Sequence, residues 1–303
     1  MTLCNSTNTP SDSIFGDGSD GIQIFDGTTV ILGLTPSGSV YTLARDIFLA
    51  SSTINNGVSI ITNAFRIFCA GVLTNNGTIK YNGNNGLADG TAGAALSNTN
   101  SSISNSTSGS SVIGPAGGAG NTGAGSNGIA AGLAPFGGIG GVGGAGGSGG
   151  GNAGALTGAP AAVNGSYRSG TFALLAALQN GGGNTATKIQ GGTGGGGGGG
   201  DASVKGGGGG GAGGVVIVSA TYILGTGAIQ ARGGNGGSPV SGTNCGGGGA
   251  GGGGAVIVIS RSIQAAAIPG QTIDAAHGSI GTGFGSGQPG ATGNNGNVIL
   301  IPS

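Results

Sequence analysis

Asp274 and His277, the latter the only histidine in the chain, are the one pair whose types and spacing could do acid–base chemistry. A carboxylate orienting an imidazole is two thirds of a nucleophile-activating triad, but the serine it would serve needs its own motif, and none is present. The pair reads as part of an exposed turn. Glycoside hydrolysis needs two carboxylates flanking one bond. With no glutamate in the chain, the candidates are the widely separated Asp46, Asp89, Asp201 and Asp274, and nothing in the sequence brings any two together. Asp12, Asp17, Asp20 and Asp26 could surround a cation near the N-terminus. Their spacing misses the calcium-loop pattern, and Asp followed by Gly at three of the four positions is the composition of tight turns. The run from Gly196 to Val204 approaches a calcium-binding nonapeptide but places Ser203 where an apolar residue belongs. No glycine is followed by lysine, so no phosphate-binding P-loop exists, and G-x-G-x-x-G matches are worthless at this glycine content. Cys4, Cys69 and Cys245 fit neither zinc nor redox spacing, and Cys69 lies in an apolar strand as a small core residue. The expectation is a protein that is not an enzyme, with no catalytic residue, cofactor or metal. What remains is recognition. Tyr167, Arg168 and Phe284 stand at junctions of glycine-rich arcs, where an aromatic face or a planar cation could meet a sugar or a protein surface, and they are the candidate receptor-binding residues.

Such residues need a scaffold, and the composition sets its terms. The 303 residues include 81 Gly and 9 Pro, a proportion that in unpatterned chains marks disorder. Two features oppose that reading: aliphatic strands punctuate the glycine, and only 16 residues are charged, eight of each sign. The balanced charge excludes a basic footprint for nucleic acid. No apolar run reaches the roughly 18 residues of a membrane span, the longest being Phe172 to Leu178. The first residues carry neither a basic region nor an apolar stretch, so no secretory signal peptide is expected. Polarity comes from Asn, Ser and Thr in place of ions, which suits an exterior surface. An exterior surface without an export signal is the combination found on virus particles made in a host cytoplasm.

The aliphatic segments repeat. Ile67 to Gly86 (IFCAGVLTNNGTIKYNGNNG) is matched 150 residues later by Ile217 to Gly236 (IVSATYILGTGAIQARGGNG). Val215-Val216-Ile217-Val218 returns 40 residues on as Ala255-Val256-Ile257-Val258, and a third copy, Val298-Ile299-Leu300-Ile301, follows. A 20-residue offset relates Thr53-Ile54-Asn55-Asn56-Gly57-Val58 to Leu73-Thr74-Asn75-Asn76-Gly77-Thr78, with Asn-Gly marking corners where positive φ is tolerated. Ile22 to Leu32 resembles a hairpin closed by Asp26-Gly27, able to cap an edge. Stacked repeats that bury apolar faces against their neighbours predict an all-β solenoid of parallel β-helix-like coils. The segments are 1–40, an arm with a capping or attachment hairpin; 41–86, coils; 87–212, the glycine-rich region; and 213–303, strands alternating with glycine arcs.

Within the glycine-rich region, Phe136 to Gly150 places Phe136, Ile139, Val142, Ala145 and Ser148 at every third position. Three is the polyproline II period, and with proline absent from this run a polyglycine II helix bundle is expected over a collagen-like triple helix. Ordering a glycine costs ~0.5–1 kcal/mol more than ordering an alanine, so the many glycine amides must be hydrogen-bonded in a lattice to make order worthwhile.

The order of parts, from DGSDG through the TLARDIFLASSTINNGVSIITNAFRIFCAGVLTNNGTIKYNGNNG stretch to glycine arcs separated by VVIVSATYILGTGAIQARGGNGG and AVIVISRSI, resembles glycine-rich virion surface proteins of phages. In its glycine-rich part the chain is similar to the tail-fibre adhesins of T-even-like phages, from which it departs in its β coils and in lacking an evident attachment domain. The resemblance implies a virion-exterior fibre or adhesin that binds a host cell-surface glycan or protein receptor, partnered by other virion proteins and assembled as a homo-oligomer, a trimer or a larger assembly. Two other readings stay open: a self-assembling surface filament or capsid decoration with a purely architectural role, and an ice-binding protein.

Overall fold

The computed structural model describes residues 12–96, 116–126, 140–141, 143–146, 191–201, 203–264 and 267–303. Apart from a short 3-10 turn at Asp12–Phe15, the regular elements among them are β-strands, and nearly all pair in parallel. Numbered in chain order, the larger sheet runs β1 (Ile22–Phe25), β4 (Ser51–Ile54), β6 (Ile67–Asn75), β8 (Val215–Leu224), β11 (Ala255–Ile259) and β14 (Asn297–Ile301), with β3 (Ile47–Leu49) also on β6. A smaller sheet runs β2 (Val40–Thr42), β5 (Ser59–Ile61), β7 (Thr78–Lys80), β9 (Ala228–Gln230) and β12 (Thr272–Asp274). The class is therefore all-β with parallel sheets.

The repeats have become neighbours. Val215 pairs with Ala255 and Ile217 with Ile257, 40 residues apart, while Leu73 pairs with Ile223 and Ile79 with Ile229, 150 apart. Parallel pairing in register stacks like on like, so the central residues of the smaller sheet, Tyr41, Ile60, Ile79 and Ile229, form a buried row in one apolar cluster with Ile54, Leu73 and Ile223 of the larger sheet. Each such side chain contributes roughly 1.5–3 kcal/mol through burial, and β5, β7 and β9 are buried only at their centre. Cys69 lies wholly inside this core, and burial pushes its thiol up from the ordinary range.

Two sequence expectations change. Ile22–Phe25 is not half of a hairpin: it pairs in parallel with Ser51–Ile54, and residues 26–30 form no strand. The Asp26 carboxylate takes the backbone N–H of Thr28 and of Thr29, both at 2.7 Å, and the Thr29 hydroxyl at 2.6 Å, so the side chain builds a wide turn where an Asp-Gly hairpin would need the backbone alone. The 20-residue offset is an average. Ile54 pairs with Asn75, 21 on, and Ser59 with Thr78, 19 on, because the first corner holds four residues (55–58) and the second two (76–77). Gly57 uses the positive φ that Asn-Gly allows (78°), whereas Gly77 does not: it is required because a Cβ there would fall on the Val58 carbonyl.

Between the sheets the chain leaves the core and returns. It exits after β7, β9 and β12 and re-enters at β8, β11 and β14, the shortest excursions spanning 231–254 and 275–296. Apart from one two-residue antiparallel pair, Asn244–Cys245 with Phe284–Gly285, the described arcs carry no strand ladder, yet their amides are bonded with a period of three. In the arc 246–254, the N–H groups of Gly246, Gly249 and Gly252 reach the carbonyls of Gly199, Gly196 and Thr193. Those of Gly247, Ala250 and Gly253 reach Gln288, Ala291 and Asn294, and those of Gly248, Gly251 and Gly254 reach Gly237, Gly234 and Ala231. Its carbonyls accept from Gly207, Gly210 and Gly213, from Gly144 and Gly141, and from Gly281 and Gly278. One arc thus touches six neighbours, three by donation and three by acceptance, which satisfies a buried backbone without any sheet. Gly141 and Gly144 are described residues of the Phe136–Gly150 run, and their bonds three apart agree with its sequence period. Phe172–Leu178, Cys4, Tyr167 and Arg168 lie outside the described residues.

Candidate functional site

The lattice dictates where larger side chains can stand. A Cβ on Gly208 would fall on the Thr91 carbonyl, one on Gly248 on that of Gly208, and one on Gly251 on that of Gly211. The central arcs 191–200, 206–213 and 246–254 accordingly hold Gly, Ala and a single Thr, Thr193, and are buried throughout. Asp201, Val204, Lys205, Val240 and Phe284 sit in the turns that join the arcs.

Those turns converge. Asp201, between two central arcs, accepts the backbone N–H of Thr243 at 2.8 Å, of Ser203 at 3.1 Å and of Val204 at 2.8 Å, with the Thr243 hydroxyl at 3.2 Å. Donation from these N–H groups, Thr243 first, holds its carboxyl well below the usual carboxylate range. The Thr243 carbonyl in turn accepts from Ser286 N–H at 3.2 Å. Phe284 and Gly285 form β13, paired antiparallel with β10 (Asn244–Cys245), and the Cys245 thiol points to the Val204 carbonyl at 3.6 Å. Thr282 N–H donates to the Ser238 hydroxyl at 2.9 Å, and Gly200 N–H to the Gly123 carbonyl at 3.0 Å. Asn121 closes its own loop by donating to Ala124 O and Ser126 Oγ, at 3.1 and 3.0 Å. The described residues of four tips, 121–126, 199–201 with 203–206, 238–245 and 282–287, are therefore interlocked. On this fixed platform Val240 is 76% exposed and Phe284 37%.

Phe284, expected from sequence, lies in the cluster. Sequence reasoning missed the Asp201–Thr243 link that joins two tips; the signal available was an Asp enclosed by glycine runs, read there as a failed calcium motif. The carboxylate is occupied by N–H donors. The remaining acidic candidates have separate partners: Asp46 with Arg66, Asp274 with Arg232 and Ala276 N–H, and Asp89 with Thr91 N–H. His277 Nδ1 is 2.7 Å from the Gly278 carbonyl, so the Asp274–His277 spacing serves two unrelated contacts. Near the N-terminus Asp17 bonds Ser19 N–H, Asp20 bonds Arg45 and Phe48 N–H, and Asp26 closes its turn. Among the described residues no three His, Cys, Asp or Glu gather as metal ligands.

No protein family, no curated protein and no solved structure matches this chain. The functional reading therefore stands on the tips and the lattice that carries them.

Proposed function

We propose that the chain is a non-enzymatic exterior protein of a virion, a fibre or adhesin component in which a parallel β-helix-like solenoid carries a polyglycine II bundle whose tip loops bind a host cell-surface glycan or protein receptor. The observation that carries this reading is the division of labour in the glycine half. The arcs admit almost no side chain beyond a methyl, and the tips carry exposed Val240 and Phe284 on a frame fixed by Asp201. Preorganised loops bind with less ordering cost than mobile ones, which is the use of an otherwise expensive scaffold.

The test is binding of the purified chain to a panel of intact bacteria and their extracted surface glycans, beside a Phe284→Ala, Val240→Asp variant. Labelling of at least one strain by the parent, reduced tenfold or more in the variant at unchanged thermal stability, is the expected result. Equal labelling by both proteins sinks the tip assignment. A second reading, an architectural subunit, is favoured by one feature: β14 pairs only with β11 among the described residues, and it exposes Val298 with none of the charges that usually protect a sheet edge. Particles that polymerise without any host component, seen by sedimentation, would favour that role.

A further inference from the structure

We propose that the cleft where the smaller sheet meets the glycine arcs binds a carboxylate-bearing saccharide, with Lys80 as its cationic contact. The cleft has a volume of about 410 Å³, within the range of small-molecule sites, and its lining includes Lys80, Asn63, Asn82, Asn84, Ile61 and Leu96. It goes beyond the tip reading and does not depend on it.

The argument begins with charge. Among the described residues Arg45 is paired with Asp20, Arg66 with Asp46 and Arg232 with Asp274, and Arg261 lies over the Phe15 ring. Lys80 has no such partner. The parallel register explains why: its cross-strand neighbours are Ile61 on β5 and Gln230 on β9, neither of which can neutralise it. Lys80 thus lines the cleft as a cation with no acidic partner among the described residues.

The rest of the lining decides the class of anion. Asn82 donates to Gln230 Oε1 at 3.4 Å and accepts Arg232 N–H at 2.8 Å, and Asn84 donates to the Ala94 carbonyl at 3.0 Å, so both amides are held in place by neighbouring arcs. Asn63 is fixed from the other side. It stands at φ 50°, followed by Ala64 at 65°, and its Oδ1 accepts the Tyr81 hydroxyl at 3.2 Å. Two consecutive non-glycine residues in the left-handed region cost stability, which is the kind of outlier that accompanies a binding site. Fixed amides match the hydroxyls of a sugar, Ile61 and Leu96 offer apolar surface to a ring face, and one ammonium suits a carboxylate. A phosphate site would call instead for several convergent N–H groups or an arginine fork.

The experiment is calorimetric titration of the intact chain with trigalacturonate and sialyllactose, with maltotriose and inorganic phosphate as controls, using the parent, Lys80→Gln and Phe284→Ala. At least one acidic saccharide is expected to bind the parent, to weaken about tenfold or more in Lys80→Gln, and to bind Phe284→Ala unchanged, since losing a charge-assisted bond has that size. Maltotriose and phosphate are expected to bind neither measurably. No binding of either acidic saccharide, unchanged affinity in Lys80→Gln, or phosphate binding as tight as the saccharide would overturn the proposal. A thermal melt of Lys80→Gln matching the parent shows that any loss is local. Loss in Phe284→Ala with none in Lys80→Gln would move the saccharide to the tips and remove it from this cleft.

Discussion

Replacing Gly248 with alanine tests the lattice at its centre. The new Cβ falls on the Gly208 carbonyl and close to Gly209, both backbone, so no side chain can swing aside to make room. The arcs 246–254 and 206–213 must part, and they are joined by three bonds, Gly207 to Gly246 at 2.9 Å, Gly210 to Gly249 at 3.0 Å and Gly213 to Gly252 at 3.0 Å. Each is worth ~0.5–1.5 kcal/mol net, and more if a buried donor is left unsatisfied, so the loss is about 3–5 kcal/mol. Alanine gains back only ~0.4–1 kcal/mol by restricting the unfolded chain. The control is Gly123→Ala. A Cβ there meets nothing within 4 Å and the backbone is not left-handed, so the same substitution is expected to be neutral or slightly stabilising. Urea unfolding followed by circular dichroism, with the midpoint as readout, separates the two. If Gly248→Ala lies within about 0.5 kcal/mol of the parent, the arcs are not locked as described and the reasoning fails. Ala250 in the same arc is fully buried, which shows that the lattice accepts a methyl at some positions and makes the expected loss specific to the contact.

Two further outcomes concern the strand half. Arg66 bonds Asp46 through both its side chain and its own backbone N–H at 2.8 Å, and the two side chains are 12% and 16% exposed, so Arg66→Met should destabilise by about 2–4 kcal/mol in the same urea assay by leaving a carboxylate without its cation. Asp20 is held below the ordinary carboxylate range, first by its hydrogen bond from Arg45 and then by the Phe48 N–H, so its contribution is present above the unfolded value of about 3.9 and lost as pH falls through the depressed folded value. Asp20→Asn should lower stability at pH 7 and flatten the decline between about pH 4 and pH 2, and a decline as steep as the parent's would show that Asp20 is not its source.

The strand half was legible because its signal is additive. Each aliphatic bead repeats its predecessor, and a parallel register turns repetition into contact, so the 40- and 150-residue offsets reappear as the pairings of Val215 with Ala255 and Ile79 with Ile229. What misled was local. Asp26-Gly27 looked like a hairpin turn because the sequence does not say that the Asp26 side chain will capture Thr28 and Thr29. The corners at 55–58 and 76–77 share the motif Asn-Asn-Gly and differ in length, since Asn75 continues β6, fully buried, with its amide bonded to Gln271 and Ala228. In the glycine half the period of three was readable, whereas the choice of neighbours was not. Glycine has no side chain to encode a partner, so which arc lies against which is set at the ends, by strands such as β8 and β11 and by tip residues such as Asp201 and Thr243.

That arrangement constrains how such a chain can vary. Because successive residues of an arc serve three different neighbours in turn, inserting one residue advances every later amide by a third of a turn and sends it to the wrong arc. The same insertion at a tip position that makes none of the cross-links between tips alters only a turn. The corners show the same tolerance: the strand register grows from 40 between β8 and β11 to 44 between β9 and β12 because extra residues lie in the corner before β12, with neither sheet disturbed. Length and chemistry are thus freer to change at the corners and at tip positions outside the Asp201–Thr243 link than in the arcs between. A scaffold of this kind can change the side chains exposed at its tips without disturbing the arcs, and that property links the cost of its glycine to the binding role proposed for its ends.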